Sequence, residues 1–169
     1  TATAEGEIEF VLDTSMPRLV TIQNRPSTKF IRDDVTGGDC TTIGSWDLGS
    51  KTCTLTQDVN EPIQIDSNGV TLDGGGTTMG LGGGVGAIRG VFASGRSGVT
   101  LRNIRAQNFS TGILLSATTN SIIEGSQVNA SAGSGVIVNG GSSNIVRNTN
   151  SDNNGMHGLH LLSTTNTTL

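Results

Sequence analysis

Gly112-Ile113-Leu114-Leu115 and Gly135-Val136-Ile137-Val138 are two copies of a unit that also occurs as Gly90-Val91-Phe92-Ala93 and Gly158-Leu159-His160-Leu161. The opening glycines stand 22, 23 and 23 residues apart. A second register, Leu101, Ile123, Val146 and Leu169, advances by the same 22, 23 and 23. A fixed period of this length marks a solenoid, in which equivalent positions of successive coils become neighbours in space. Between the apolar runs lie turns of Gly, Asn and Ser, and no helical spacing of apolar residues persists. Leucine-rich repeats have a similar length, but they need a recurrent Leu pattern and usually a helical segment. The reading is an all-β chain, a parallel β-helix with two or three short strands per coil.

The coils can be followed outward from these copies. Ile63-Gln64-Ile65-Asp66 opens the first, followed by Asn68-Gly69-Val70-Thr71-Leu72-Asp73. From Leu72 to Leu101 the interval is 29, so this coil carries about six extra residues. They are expected in the Gly-rich stretch 77–86, as an insertion looping off the shaft. Coils three and four run through Ile122-Ile123-Glu124 and Ile145-Val146-Arg147. Residues 61–169 thus form the β-helix. Residues 36–60, with Cys40, Trp46 and Cys53, read as a first coil or a cap, since terminal repeats are atypical. Residues 1–35 do not share the period. There Glu7-Ile8-Glu9-Phe10-Val11-Leu12 and Arg18-Leu19-Val20-Thr21-Ile22 read as strands, and Lys29-Phe30-Ile31-Arg32 as a third.

Composition narrows the setting. The chain has 10 basic and 14 acidic residues and a net charge of −4, with no basic run that could track phosphates, so nucleic acid is not an expected partner. No apolar stretch approaches the roughly 18 residues of a membrane span. The opening Thr1-Ala2-Thr3-Ala4-Glu5 lacks a start Met and a signal peptide, and reads as a processed or excised product. Cys40 and Cys53 have no further Cys or nearby His to make a zinc site, and are expected to form a disulfide. Sequons at Asn108-Phe109-Ser110, Asn129-Ala130-Ser131 and Asn166-Thr167-Thr168 would permit N-glycosylation of an exported chain. Disulfide and sequons together favour an extracellular or cell-surface location.

The stretch Asp39-Cys40 … Trp46 … Lys51-Thr52-Cys53-Thr54-Leu55-Thr56, continued by Ile65-Asp66-Ser67-Asn68-Gly69-Val70-Thr71-Leu72-Asp73-Gly74-Gly75-Gly76, resembles right-handed parallel β-helix repeat proteins. These include the carbohydrate-binding and sugar-hydrolase group and the periplasmic copper-binding-like group. The likeness covers roughly residues 37–169 and implies a right-handed coil. Such proteins include lyases, hydrolases, adhesins and structural proteins, so function has to be argued from a site.

Stacking turns the alignment into columns. Ile63, Val91, Ile113, Val136 and Leu159 form one apolar column; Ile65, Ala93, Leu115, Val138 and Leu161 form another. Two residues apart, they share one side of a strand and should be core, with Val99, Leu101, Ile123 and Val146. The position between them points outward and reads Gln64, Phe92, Leu114, Ile137, His160. Consecutive large apolar residues there suggest a contact surface. Residues 1–35 folding back, a second subunit, or open solvent are the alternatives for what meets it.

A further column, Asp73, Arg102, Glu124, Arg147, alternates in sign and reads as an ion-pair ladder; its catalytic alternative is a carboxylate–arginine pair. Glycosidases need two carboxylates across a groove. Beyond residue 73 the only acids are Glu124 and Asp152, and Asp66 and Asp73 lie on separate strands. Trp46 and Phe92 make a thin platform for sugar stacking. Met156-His157-Gly158-Leu159-His160 could suggest copper or zinc, but two histidines three apart on a non-helical chain need not converge. No catalytic residue, metal or cofactor is therefore expected.

Leu169 falls in a core register, so the last coil is expected to stop part way round without a cap. The expected role is structural: a self-assembling surface or filament subunit. In it the N-terminal strands, with Ile8, Phe10 and Leu12, pair by strand addition with a neighbour's open β-helix end at Leu169, and the outward strip Phe92, Leu114, Ile137 and His160 adds a contact surface. The alternative is a carbohydrate-binding or polysaccharide-active module of a larger surface protein.

Overall fold

A computed structural model describes residues 27–80 and 88–169. In chain order it contains β1 (Lys29–Ile31), α1 (Cys40–Ile43), β2 (Gly44–Asp47), β3 (Thr52–Leu55), β4 (Ile63–Ile65) and β5 (Thr71–Asp73). There follow β6 (Met79–Gly80), β7 (Arg89–Ser94), β8 (Thr100–Arg102), β9 (Arg105–Gln107) and β10 (Thr111–Ser116). The last are β11 (Ile122–Glu124), β12 (Gln127–Asn129), β13 (Val136–Asn139), β14 (Ile145–Arg147), β15 (Asn150–Asp152) and β16 (Leu159–Leu162).

Among the described residues these strands make three sheets that run the length of the solenoid. The first has the order β1-β4-β7-β10-β13-β16, the second β2-β3-β5-β8-β11-β14, and the third β6-β9-β12-β15. Each full coil gives one strand to each sheet. Every pairing is parallel except the β2–β3 hairpin. The register is the one the repeat demands: Val91, Ile113, Val136 and Leu159 stand in one row, and Leu72, Leu101, Ile123 and Val146 in another.

Two features of the coil start depart from the sequence reading. Residues 29–31, grouped by the period with a non-repeat segment, are a rung of the first sheet, paired with Ile63–Ile65. The intervening residues hide the period because they build a cap: α1, then the hairpin, with Cys40 bonded to Cys53. Trp46 of β2 lies over Gly37, where any Cβ would come within 2.6 Å of its ring. The second departure concerns the insertion. Met79–Gly80 is not looped out but forms β6 and pairs with Ala106–Gln107, so two of the extra residues fall between Leu72 and Met79 and the rest after Gly80. Residues 81–86 of that stretch lie outside the described residues. So do the expected strands of residues 7–12 and 18–22, with Ile8, Phe10 and Leu12.

The opening glycines of the repeat have a steric cause. At Gly112 a Cβ would collide with Val128 Cγ1 of the third sheet and stand 2.9 Å from the Gly135 carbonyl. At Gly158 it would stand 2.6 Å from the Ser151 carbonyl. Glycine lets the first sheet turn close against the third, which sets the width of the shaft.

The core is apolar in the first sheet, where Ile63, Val91, Ile113 and Val136 are fully buried. Each such side chain is worth roughly 1.5–3 kcal/mol of burial. At the corners the interior becomes polar along the chain: the column Val70, Val99 continues as Ser121 and Asn144, both fully buried. The Val99 N–H donates to Ser121 Oγ at 3.3 Å, and the Ser121 N–H to Asn144 Oδ1 at 3.1 Å. In the same way Ile104 N–H reaches Ser126 Oγ, and Ser131 N–H reaches Asn154 Oδ1. A corner amide has no strand partner, so a side chain of the next coil supplies the acceptor. Asn also serves the turns, where Asn103 (φ 54°) and Asn148 (φ 48°) occupy the left-handed region that Asn tolerates.

Candidate functional site

Alternation within the first sheet decides what its outer face carries. Ile63 and Ile65 point in, so Gln64 points out, and the register stacks Phe30, Gln64, Phe92, Leu114, Ile137 and His160 into one outward row. At about 4.8 Å per rung the row is roughly 24 Å long. Its members are half-buried, whereas the flanking columns are sealed from Ile63 and Ile65 through Val136 and Val138. At the last rung the expected core residues Leu159 and Leu161 are half-buried and 37% exposed, because among the described residues no further coil lies over them. Two guanidinium groups lie on its aromatic rings: Arg32 is 5.1 Å from the Phe30 centroid, and Arg89 is 5.6 Å from that of Phe92. Phe30 was not foreseen in this row. A charged Lys29 and an apolar Phe30 invert the order of Ile63-Gln64-Ile65, so no sequence signal marked it.

Beside the row, Asp66 joins three coils. Its carboxylate accepts from Arg32 Nε at 3.2 Å and from Arg96 Nη2 at 2.9 Å. On the second sheet Asp73, Arg102, Glu124 and Arg147 stand in register. Their contacts form two closed pairs, Arg102 Nε to Asp73 Oδ2 at 2.8 Å and Arg147 Nη2 to Glu124 Oε2 at 2.6 Å. Burial pushes the Asp73 carboxyl up. Hydrogen bonds from Asn103 and the Gly75 N–H, together with Arg102, outweigh that and hold it below its ordinary value. Asp66 and Asp73 are thus both engaged by arginine.

The two histidines do meet. The rings of His157 and His160 lie 4.4 Å apart between centroids, tilted by 30°. Ser134 Oγ, one coil below, is 3.4 Å from His157 Nδ1. Among the described residues no group of three or more His, Cys, Asp or Glu gathers as a metal site.

The remaining sequence candidates fall on the surface. The sequon residues Asn108, Asn129 and Asn166 are all exposed. Asn129 pairs in register with Gln107, which puts Asn108 and Asn129 at one corner, a coil apart. Thr168 bridges to Ile145, so Leu169 follows in the row of Val146, and it is 69% exposed. No helix among the described residues is long and apolar enough to cross a membrane.

No curated protein and no solved structure matches the chain. Residues 65–169 match the family described as the right handed beta helix region. The matched span opens inside β4, on the first rung of full coils, and takes in every later strand. The chain therefore belongs to the right-handed β-helix family.

Proposed function

We propose that the chain is a non-catalytic structural module of an extracellular or cell-surface assembly, and that it packs against a second copy of itself through the outer face of the first sheet. The observation that carries this reading is the in-register row Phe92, Leu114, Ile137: three large apolar side chains, on consecutive rungs, on the outside of a sheet. Solvated sheet faces ordinarily alternate to polar residues, and a contiguous apolar strip is a contact surface by default. The Cys40–Cys53 disulfide is compatible with an oxidising compartment. Engagement of Asp66, Asp73 and Glu124 by arginines supports an architectural use of the acidic residues.

Sedimentation velocity over a concentration series, with electron microscopy of the same samples, tests the reading. The wild-type chain is expected to form oligomers or fibres. Leu114→Lys with Ile137→Lys is expected to give a monomer with an unchanged far-ultraviolet circular dichroism spectrum. A wild-type chain that stays monomeric at every concentration would overturn self-packing. If deleting residues 1–26 then produced oligomers, those residues would be identified as what covers the row.

A further inference from the structure

We propose that Asn139 is a site of spontaneous deamidation, a modification that places a carboxylate on the outer face of the first sheet. The chemistry belongs to the Asn-Gly pair. The glycine nitrogen attacks the side-chain carbonyl of the asparagine before it, and glycine has no Cβ to hinder the approach. Here the new bond joins Gly140 N to Asn139 Cγ, the Cγ–Nδ2 bond breaks, and ammonia leaves with the amide proton. Solvent water then opens the five-membered ring at either carbonyl, leaving aspartate or isoaspartate. Nothing is oxidised or reduced.

Three Asn-Gly pairs occur in the chain, at Asn68, Asn139 and Asn154, and the fold separates them. Asn68 Oδ1 accepts from the Ser97 N–H at 3.0 Å, and the Gly69 N–H donates to the Ser97 carbonyl at 2.9 Å. Asn154 Oδ1 accepts from the Ser131 N–H at 3.0 Å, and the Gly155 N–H donates to the Ser131 carbonyl at 2.8 Å. In both pairs one residue of a neighbouring coil holds the side chain and the attacking nitrogen together. Asn139 is different. It ends β13, is exposed, and its side chain has no hydrogen bond among the described residues, so turning it toward Gly140 N breaks none. The Gly140 N–H alone is tied, to the Leu162 carbonyl at 2.7 Å. Leu162 is 39% exposed, against 2% for Ser131, so this lock is the more open to water. Asn139 stands in register with Ser116 and Leu162, two residues along β13 from Ile137 and on the same side. The product therefore carries its charge beside the apolar row. Any effect on self-packing rests on the reading above; the chemistry does not, and the measurement below reads the chemistry alone.

The dilute full chain is incubated at mildly alkaline pH, folded and in guanidinium chloride, and its peptides are followed by mass spectrometry for a gain of about 1 Da. In the folded chain Asn139 is expected to convert at least about fivefold faster than Asn68 or Asn154, the factor that one hydrogen bond supplies. In guanidinium the three should convert at similar rates. Asn139→Gln should remove the folded-state product, since the equivalent attack closes a less favourable six-membered ring, and circular dichroism should show an unchanged fold. An Asn139 that stays intact in the folded chain while the denatured chain converts would overturn the proposal. Conversion of Asn68 or Asn154 as fast as Asn139 in the folded chain would overturn it as well.

Discussion

At the scale of single residues, the side chains that stack along the second sheet show how a column can be read from sequence yet resolve differently in space. The alternation of Asp73, Arg102, Glu124 and Arg147 implies a continuous ladder, whereas each arginine leans toward the coil below it and closes a pair. Asp73 is the better buried carboxylate, with 14% of its side chain exposed against 29% for Glu124, while its partner Arg102 is 43% exposed. It accepts from Arg102, Asn103 and the Gly75 N–H. Asp73→Asn should destabilise the chain by about 1 kcal/mol at neutral pH, after allowance for the half-exposed guanidinium. The folded carboxyl titrates below its ordinary value of 3.8. Its contribution is therefore complete above that value and disappears as pH falls through the lower folded one. Urea melts of wild type and Asp73→Asn at a series of pH values should converge on the acid side. A gap that persists there would mean that packing, not charge, carries the difference.

At the scale of elements, the first-sheet strands from β7 onward were legible because one short unit recurs with its own glycine and in-out alternation. The second-sheet strands alongside them keep the same period, whereas β9, β12 and β15 carry a single inward small or apolar residue each and no pattern marked them. The cap was not legible in that way. Lys29–Ile31 has neither an opening glycine nor the alternation of Ile63-Gln64-Ile65, and Ile65 lies 34 positions after Ile31, so no period connects them. Met79–Gly80 is only two residues long, too short for any pattern, and the Gly-rich surroundings disguised it as loop. The meeting of His157 and His160 was equally hidden, since it depends on the angle of one corner and not on spacing. For the cap, the disulfide closes a loop with a separation of 13 residues between α1 and β3. The chain-entropy account gives about 3 kcal/mol for a loop of that order. Reduction, or Cys40→Ser with Cys53→Ser, should lower the melting temperature by roughly 6–12 °C for a chain of this size. A melting curve indifferent to reductant would show that the hairpin and Trp46 hold the cap unaided.

At the scale of the whole molecule, four corner hydrogen bonds of the later coils share a direction, whereas nearer the cap Ser97 N–H donates back to Asn68 Oδ1 and Thr78 N–H back to Asp58 Oδ1. In each of the four cases the donor amide belongs to one coil and the side-chain acceptor to the next: Val99 to Ser121, Ser121 to Asn144, Ile104 to Ser126, Ser131 to Asn154. Removing an acceptor leaves a buried N–H unpaired, a loss of about 1–3 kcal/mol. Asn144→Ala should therefore speed hydrogen exchange most at the Ser121 amide, a full turn away in sequence, while amides of the β5 rung keep their protection. Equal acceleration at β5 and at Ser121 would mean that the shaft opens as one unit. The consequence reaches beyond any one bond. Along these later corners the shaft is laid like roof tiles: a layer's inward amides find their acceptors when the next is laid over it, and damage to a tile is felt first in the one beneath.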